Sequence, residues 1–173
     1  MEYIQNFTNL IDLQINFNAI KKIKFLKNLK KLEKFWICEN KIKKVENLPE
    51  NLKIFWVALN FIEKLDNFSF ENSKEIIELN ISGNFLCSFN DLKIISELEN
   101  LKNLNFNDPN FGENPISLIN NYRLIVFNKL PNLEILDENF ICKEDLQENK
   151  NTVNKKNNYY KNRIKQMNRI SRS

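Results

Sequence analysis

FTNLIDLQINFNAIKKIKFLKNLKKLEKFWICENKIKKV, residues 7–45, is one phrase written twice, and the phrase is LxxLxxLxLxxNxIxxI. Its first copy runs Phe7, Leu10, Leu13, Ile15, Asn18, Ile20, Ile23, and its second Leu29, Leu32, Phe35, Ile37, Asn40, Ile42, Val45. A third copy (Pro49, Leu52, Phe55, Val57, Asn60, Ile62, Leu65) and a fourth (Ser73, Ile76, Leu79, Ile81, Asn84, Leu86, Phe89) each depart from the pattern only at the first position. The asparagines Asn18, Asn40, Asn60 and Asn84 recur at intervals of 22, 20 and 24 residues. That is the period of a solenoid unit made of one short strand and a helical or extended return.

A unit of this length cannot bury its apolar face alone, so each turn must stack on a neighbour and share a core. The pairs Leu13/Ile15, Phe35/Ile37, Phe55/Val57 and Leu79/Ile81 alternate inward at the strand period of two. An unpaired amide among these stripes would cost roughly 2–7 kcal/mol. The asparagines are therefore expected to bond the backbone of adjacent turns as a ladder. A fifth unit begins at Leu98, Leu101, Leu104 and Phe106, then meets Pro109 where the asparagine should stand, and the ladder is expected to end there. A loop carrying Gly112 and Pro115 follows, then a helix with Asn114 as N-cap and Pro115 at its first position. Leu130, Leu133 and Leu136 open a last unit that stops at Asp137. The expected division is a repeat domain with a C-terminal cap over 1–141 and a basic amphipathic helical tail over 142–173.

The 173 residues, 42% of them apolar, suffice for one solenoid core and not for two independent ones. There is no histidine, which removes the commonest general base and zinc ligand. Cys38, Cys87 and Cys142 form no CxxC pair, and their wide spacing and odd number suit a reducing compartment. Gly83 and Gly112 are the only glycines, too few for a phosphate-cradling loop. No catalytic residue, metal or cofactor is assigned, and a non-enzymatic chain is expected. The opening MEYIQNFTNL lacks the basic region of a secretory signal, and no apolar run approaches the roughly 18 residues of a membrane span. A monomer in the cytoplasm is expected.

The ladder fixes which side chains leave the concave sheet. The residues between the inward pairs are Gln14, Trp36, Trp56, Asn80, Asn105 and Asp137, and the row before them is Asp12, Lys34, Ile54, Glu78 and Asn103. Two further rows are expected to follow: Asn16, Cys38, Ala58, Ser82, then Phe17, Glu39, Leu59, Gly83. Trp36, Trp56, Ile54, Leu59 and Phe17 would form an apolar patch rimmed by Asp12, Lys34 and Glu39, the anatomy of a protein interface. The alternative is that the tryptophans fold onto the protein's own side chains and merely cover the sheet. The other half of the face, with Asn80, Ser82, Asn103, Asn105, Asn107 and Asp108, is polar and receives no role.

Charge divides unevenly. Residues 1–148 hold 18 basic and 22 acidic residues, a net of −4, while residues 149–173 hold eight basic residues and no acid. In the tail, Leu146, Val153, Tyr160 and Met167 recur every seven residues beside Tyr159, Ile164 and Ile170, a narrow apolar seam on a basic helix. Lys155, Lys156, Lys161, Arg163, Lys165 and Arg169 supply its charge. Such a helix suits an acidic protein surface such as a microtubule, an acidic lipid face or calmodulin, or it is a linker whose charge is simply solvated. Nucleic acid has the least support there, since aromatic residues interleave with the basic ones only at Tyr159 and Tyr160.

The LxxLxLxxNxIxxI units, closed by NYRLIVFNKLPNLEILD, resemble the SDS22-like class of leucine-rich-repeat proteins with its C-terminal cap. FWICENKIKKVENL, NDPNFGENPISLINNY and NKKNNYYKNRIKQMNR resemble, more narrowly, the first repeat block of the leucine-rich-repeat-containing protein nine family. The resemblance implies an α/β leucine-rich-repeat solenoid: a right-handed horseshoe of five to six repeats with a parallel concave sheet, a capping helix and a C-terminal basic helix. It also implies a scaffold for another protein, in a cilium or axoneme or as the regulatory or targeting subunit of a type-one protein phosphatase, and the basic tail itself adds a third candidate setting, a microtubule anchor.

Overall fold

A computed structural model describes residues 2–66, 69–142, 151, 154–155, 158–165 and 167. The chain forms two compact units, Met1–Phe140 and Ile141–Ser173. In the first, strands β1 (Asp12–Gln14), β2 (Lys34–Trp36), β3 (Ile54–Trp56), β4 (Glu78–Asn80) and β5 (Asn103–Asn105) pair in parallel in chain order. The helix α1 (Asp91–Ile95) returns the fourth turn to β5. Beyond β5 come a two-stranded hairpin, β6 (Asn107–Asp108) and β7 (Gly112–Glu113), a 3-10 turn Pro115–Leu118 and the helix α2 (Tyr122–Lys129). Strand β8 (Ile135–Leu136) continues the sheet parallel to β5, and β9 (Asn139–Phe140) closes it antiparallel.

Each of the first five strands is three residues long, and its middle residue (Leu13, Phe35, Phe55, Leu79, Leu104) points into the core. Phe35 and Phe55 stack at 5.6 Å between ring centres, so adjacent turns interlock through the ladder positions. From Leu29 to Leu104 the core is nearly closed: Leu32, Ile37, Ile42, Leu52, Val57, Ile62, Ile76, Ile81 and Leu86 are all fully buried. The first turn is open by comparison. Phe7, expected in the core, is exposed, and so is Asn18. Asn18 bonds the carbonyls of Ile15 and Asn16 within its own turn.

The remaining asparagines build the ladder in full. Asn40 Nδ2 donates to the Ile15 carbonyl of the preceding turn and to Ile37 and Cys38 of its own, while its Oδ1 accepts from the Ile20 amide. Asn60 repeats this with Ile37, Val57, Ala58 and the Ile42 amide, and Asn84 with Val57, Ile81, Ser82 and the Ile62 amide. The ladder does not end at Pro109 as the fixed spacing suggested. Asn114, fully buried, donates to the Ile81 and Phe106 carbonyls and accepts from the Leu86 amide. It precedes the 3-10 turn with Pro115 at the first position, but its side chain makes no capping bond because it is occupied as the fifth rung.

The ladder continues because residues 107–111 are an insertion looped out of the repeat. Gly112-Glu113-Asn114 stands where Cys38-Glu39-Asn40 and Ser82-Gly83-Asn84 stand in earlier turns. The backbone confirms the equivalence: Phe17, Glu39 and Leu59 donate to the carbonyls of Cys38, Ala58 and Ser82, and Gly83 donates to Gly112. In the last turn Asp137 takes over, its Oδ1 accepting from the Phe106 and Asn107 amides.

Candidate functional site

The sheet register sets the site. Gln14, Trp36, Trp56, Asn80 and Asn105 align as one row across five strands, and Asp12, Lys34, Ile54, Glu78 and Asn103 as the next. Trp36 and Trp56 are paired neighbours, both half-buried, and Ile54 is half-buried beside Lys34. Asp12 and Lys34 are exposed and Glu39 is half-buried. Phe17 is 76% exposed and Leu59 37%.

The rows beyond the strands do not both face outward. Alternation holds only within three-residue strands, and the chain then turns: Phe17, Glu39, Leu59 and Gly83 sit in the left-handed region at φ 57, 54, 49 and 59. The preceding row therefore turns inward. Cys38, Ala58 and Ser82 are buried and unavailable to a partner, and burial pushes the Cys38 thiol up to about 12, where it has no nucleophilic character at neutral pH.

Trp56 is held in place. Its indole Nε1 donates to Glu78 Oε1 at 2.6 Å, and the Phe111 ring meets it edge-on at 6.1 Å. Phe111 comes from the β6–β7 hairpin, which lies over the fourth turn. There Asn80 Nδ2 donates to Asp108 Oδ2 at 2.8 Å, and Ser82 donates its hydroxyl to Asn80 Oδ1. The half of the face read as open and polar is thus largely covered: Asn80, Ser82, Asn105 and Asp108 are all buried. Gly83 is what permits this cover. A Cβ there would collide with the Phe111 carbonyl oxygen, whereas Glu39 and Leu59, at equivalent left-handed positions, carry side chains.

In the second unit, residues 158–165 are helical and exposed, including Lys161, Arg163 and Lys165. Tyr159 and Tyr160 meet edge-on at 5.6 Å, and Arg163 Nη1 donates to the Tyr159 hydroxyl at 3.1 Å. Lys155 is helical and exposed, while Lys156 and Arg169 lie outside the described residues.

A second charged surface, which the separation into body and tail overlooked, lies on the returning flank. Residues 19–46 carry ten lysines against Glu33, Glu39 and Glu46, a local +7 hidden within the body's net −4. The visible signal was the doubled KKIK and KIKK after consecutive ladder asparagines.

Residues 8–50 match the family model described as Leucine Rich repeats (2 copies). The chain superimposes on a protein of the Drosophila melanogaster SNF/U2A′ complex with a TM-score of 0.67 and 24% identity, covering 78% of this chain and 77% of that one. An internalin of Listeria monocytogenes superimposes at 0.61 and 24% identity, over 79% of this chain and 37% of its own. The fold is a leucine-rich-repeat solenoid. Among curated proteins, an acidic leucine-rich nuclear phosphoprotein 32-related protein of Plasmodium falciparum is 31% identical over 116 residues, 65% of this chain. The chain spans about 40% of the length of that relative. Among the described residues, no helix is long and apolar enough to cross a membrane, and no cluster of metal-ligating side chains is present.

Proposed function

We propose that this chain is a protein-interaction module that holds a partner on the strand face around Trp36 and Trp56. One observation carries the reading: two tryptophans paired in register on the outward row remain half-exposed beside Ile54, with Trp56 fixed by Glu78 and Phe111. An anchor already held in one rotamer loses little entropy on binding. Burying the remaining surface of each ring contributes on the order of 1–2 kcal/mol to a complex, and aromatic anchors of this kind dominate interface energetics. Asp12, Lys34 and Glu39 supply the polar rim, while Phe17 and Leu59 extend the apolar area. Affinity purification with Trp36→Ala should lose the partners that wild type and Lys74→Ala both retain, and equal recovery by all three would rule the site out. The face of Trp56 lends weight to the covered alternative too, so Trp36 is the more informative position.

Of the narrower settings, the phosphatase one rests on the resemblance and the microtubule one on the basic tail. As an SDS22-type targeting subunit the chain would use this same face, and a type-one phosphatase catalytic subunit should co-purify with wild type and not with Trp36→Ala. As a microtubule anchor in a cilium or the cytoplasm it would use the helical, exposed Lys155, Lys161, Arg163 and Lys165. Deleting residues 149–173 should then abolish salt-sensitive sedimentation with microtubules, and unchanged sedimentation contradicts the anchor.

A further inference from the structure

The solenoid arranges its lysines in two different ways. Lys30, Lys53, Lys74 and Lys102 each meet a carboxylate of an adjacent turn, at 3.0 Å on Glu50, 3.0 Å on Glu33, 2.9 Å on Glu97 and 2.8 Å on Glu134. On the returning flank of the first two turns, lysine stands beside lysine. Lys21 and Lys22 follow Asn18 by three and four residues, and Lys43 and Lys44 follow Asn40 by the same steps, so equal charges stack one turn apart. With Lys41, Glu46 and Phe61 they line an open groove of about 840 Å³, five lysines against one carboxylate. Lys44 reaches Asp66 at 3.5 Å, but among the described residues no ion pair neutralises Lys21, Lys22, Lys41 or Lys43. Like charges one repeat apart repel, and Glu46 and the Lys44–Asp66 pair offset only part of that repulsion.

The groove opens beside an aromatic platform. Phe61 and Phe85 occupy the position after the ladder asparagine in consecutive turns, and their rings stack at 6.0 Å with 30° between planes. Both are exposed, Phe85 to 51%. A lysine-rich groove leading to an exposed aromatic pair combines the two elements that hold single-stranded nucleic acid: charges that follow phosphates and rings on which bases stack. An acidic peptide without aromatic residues would use the lysines but has no planar group to match the aromatic pair, and a duplex keeps its bases stacked inside. We propose that this flank is a binding site for single-stranded nucleic acid, with Lys21, Lys22, Lys41 and Lys43 on the phosphates and Phe61 and Phe85 under a base.

Fluorescence anisotropy with the full chain tests this, using a labelled 12-nucleotide single strand, a 12-base-pair duplex and poly-glutamate as probes over a range of salt. Single strand should bind tightest. Lys21→Gln/Lys43→Gln should lower the slope of log affinity against log salt by about 1.4, at about 0.7 for each phosphate no longer neutralised. Phe61→Leu/Phe85→Leu, which keeps apolar packing, should weaken single-strand binding about tenfold with the slope unchanged. The tail variant Lys161→Gln/Lys165→Gln separates this site from the basic tail. Absence of single-strand binding, equal binding of poly-glutamate, or weakening confined to the tail variant overturns the proposal, as does either flank variant behaving like wild type.

Discussion

The asparagine ladder can be weighed one residue at a time. Replacing Asn60 by Ala leaves the Ile42 amide buried without a partner, at about 1–3 kcal/mol, while the Ile37 carbonyl keeps its bond from Asn40 Nδ2. Asn114→Ala should destabilise to a similar degree, about 1–3 kcal/mol by urea denaturation, because it orphans the Leu86 amide in the same way. Exposed Asn18→Ala should cost under about 1 kcal/mol. A loss at Asn114 no larger than at Asn18 would mean that the ladder stops at the insertion. Gly83→Ala tests close approach separately from backbone strain, since Glu39 and Leu59 tolerate the same positive φ. It should destabilise by more than about 1 kcal/mol and displace Phe111 from Trp56, seen as changed tryptophan emission; unchanged emission and stability contradict that packing. Buried Asp91 adds a pH signature. Its Oδ1 accepts from the Leu65 amide, its Oδ2 has no partner, and burial lifts its carboxyl above the ordinary 3.8. A raised folded-state value favours the protonated acid in the fold, so this contribution is present below about pH 3.8 and is lost as pH rises through the folded-state value. The urea midpoint of Asp91→Asn should therefore fall less than that of wild type between about pH 4 and pH 7, and parallel curves would contradict the assignment.

Among the elements, the strands were legible and their surroundings were not. Four copies of the phrase gave the inward residues Leu13, Phe35, Phe55 and Leu79 and hence the tryptophan row, because register follows from repeat spacing alone. The rule of alternation failed at the second residue past each strand, just before a left-handed residue turns the chain, where Cys38, Ala58 and Ser82 are buried. The hairpin was misread for a different reason. Counting at fixed spacing put Pro109 on the fifth rung, yet Asn114, Pro115 and Ile116 repeat the asparagine-x-aliphatic pattern of the earlier turns five residues late. That Phe111 and Asp108 would fold back over Trp56 and Asn80 depends on packing between turns that no local pattern encodes. Deleting residues 107–111 should leave a continuous repeat that still folds, with Trp56 more exposed and its emission shifted to the red. Failure to fold would make the hairpin part of the core rather than a cover.

For the molecule as a whole, the repeat supplies one sheet face and one returning flank, and they carry different chemistry. The face gathers Trp36, Trp56 and Ile54, while the flank gathers Lys21, Lys22, Lys41 and Lys43. Overall charge concealed this, since a +7 stretch over residues 19–46 sits in a body of net −4. The central claim is that the ladder register places a partner on the tryptophan row. Photocrosslinking measures that position directly, with p-benzoylphenylalanine replacing Trp36 in one chain and exposed Glu97, far from the row in sequence and paired with Lys74, in another. A discrete partner adduct from position 36 and none from position 97 is the predicted result. An adduct from position 97 with none from position 36 would contradict it.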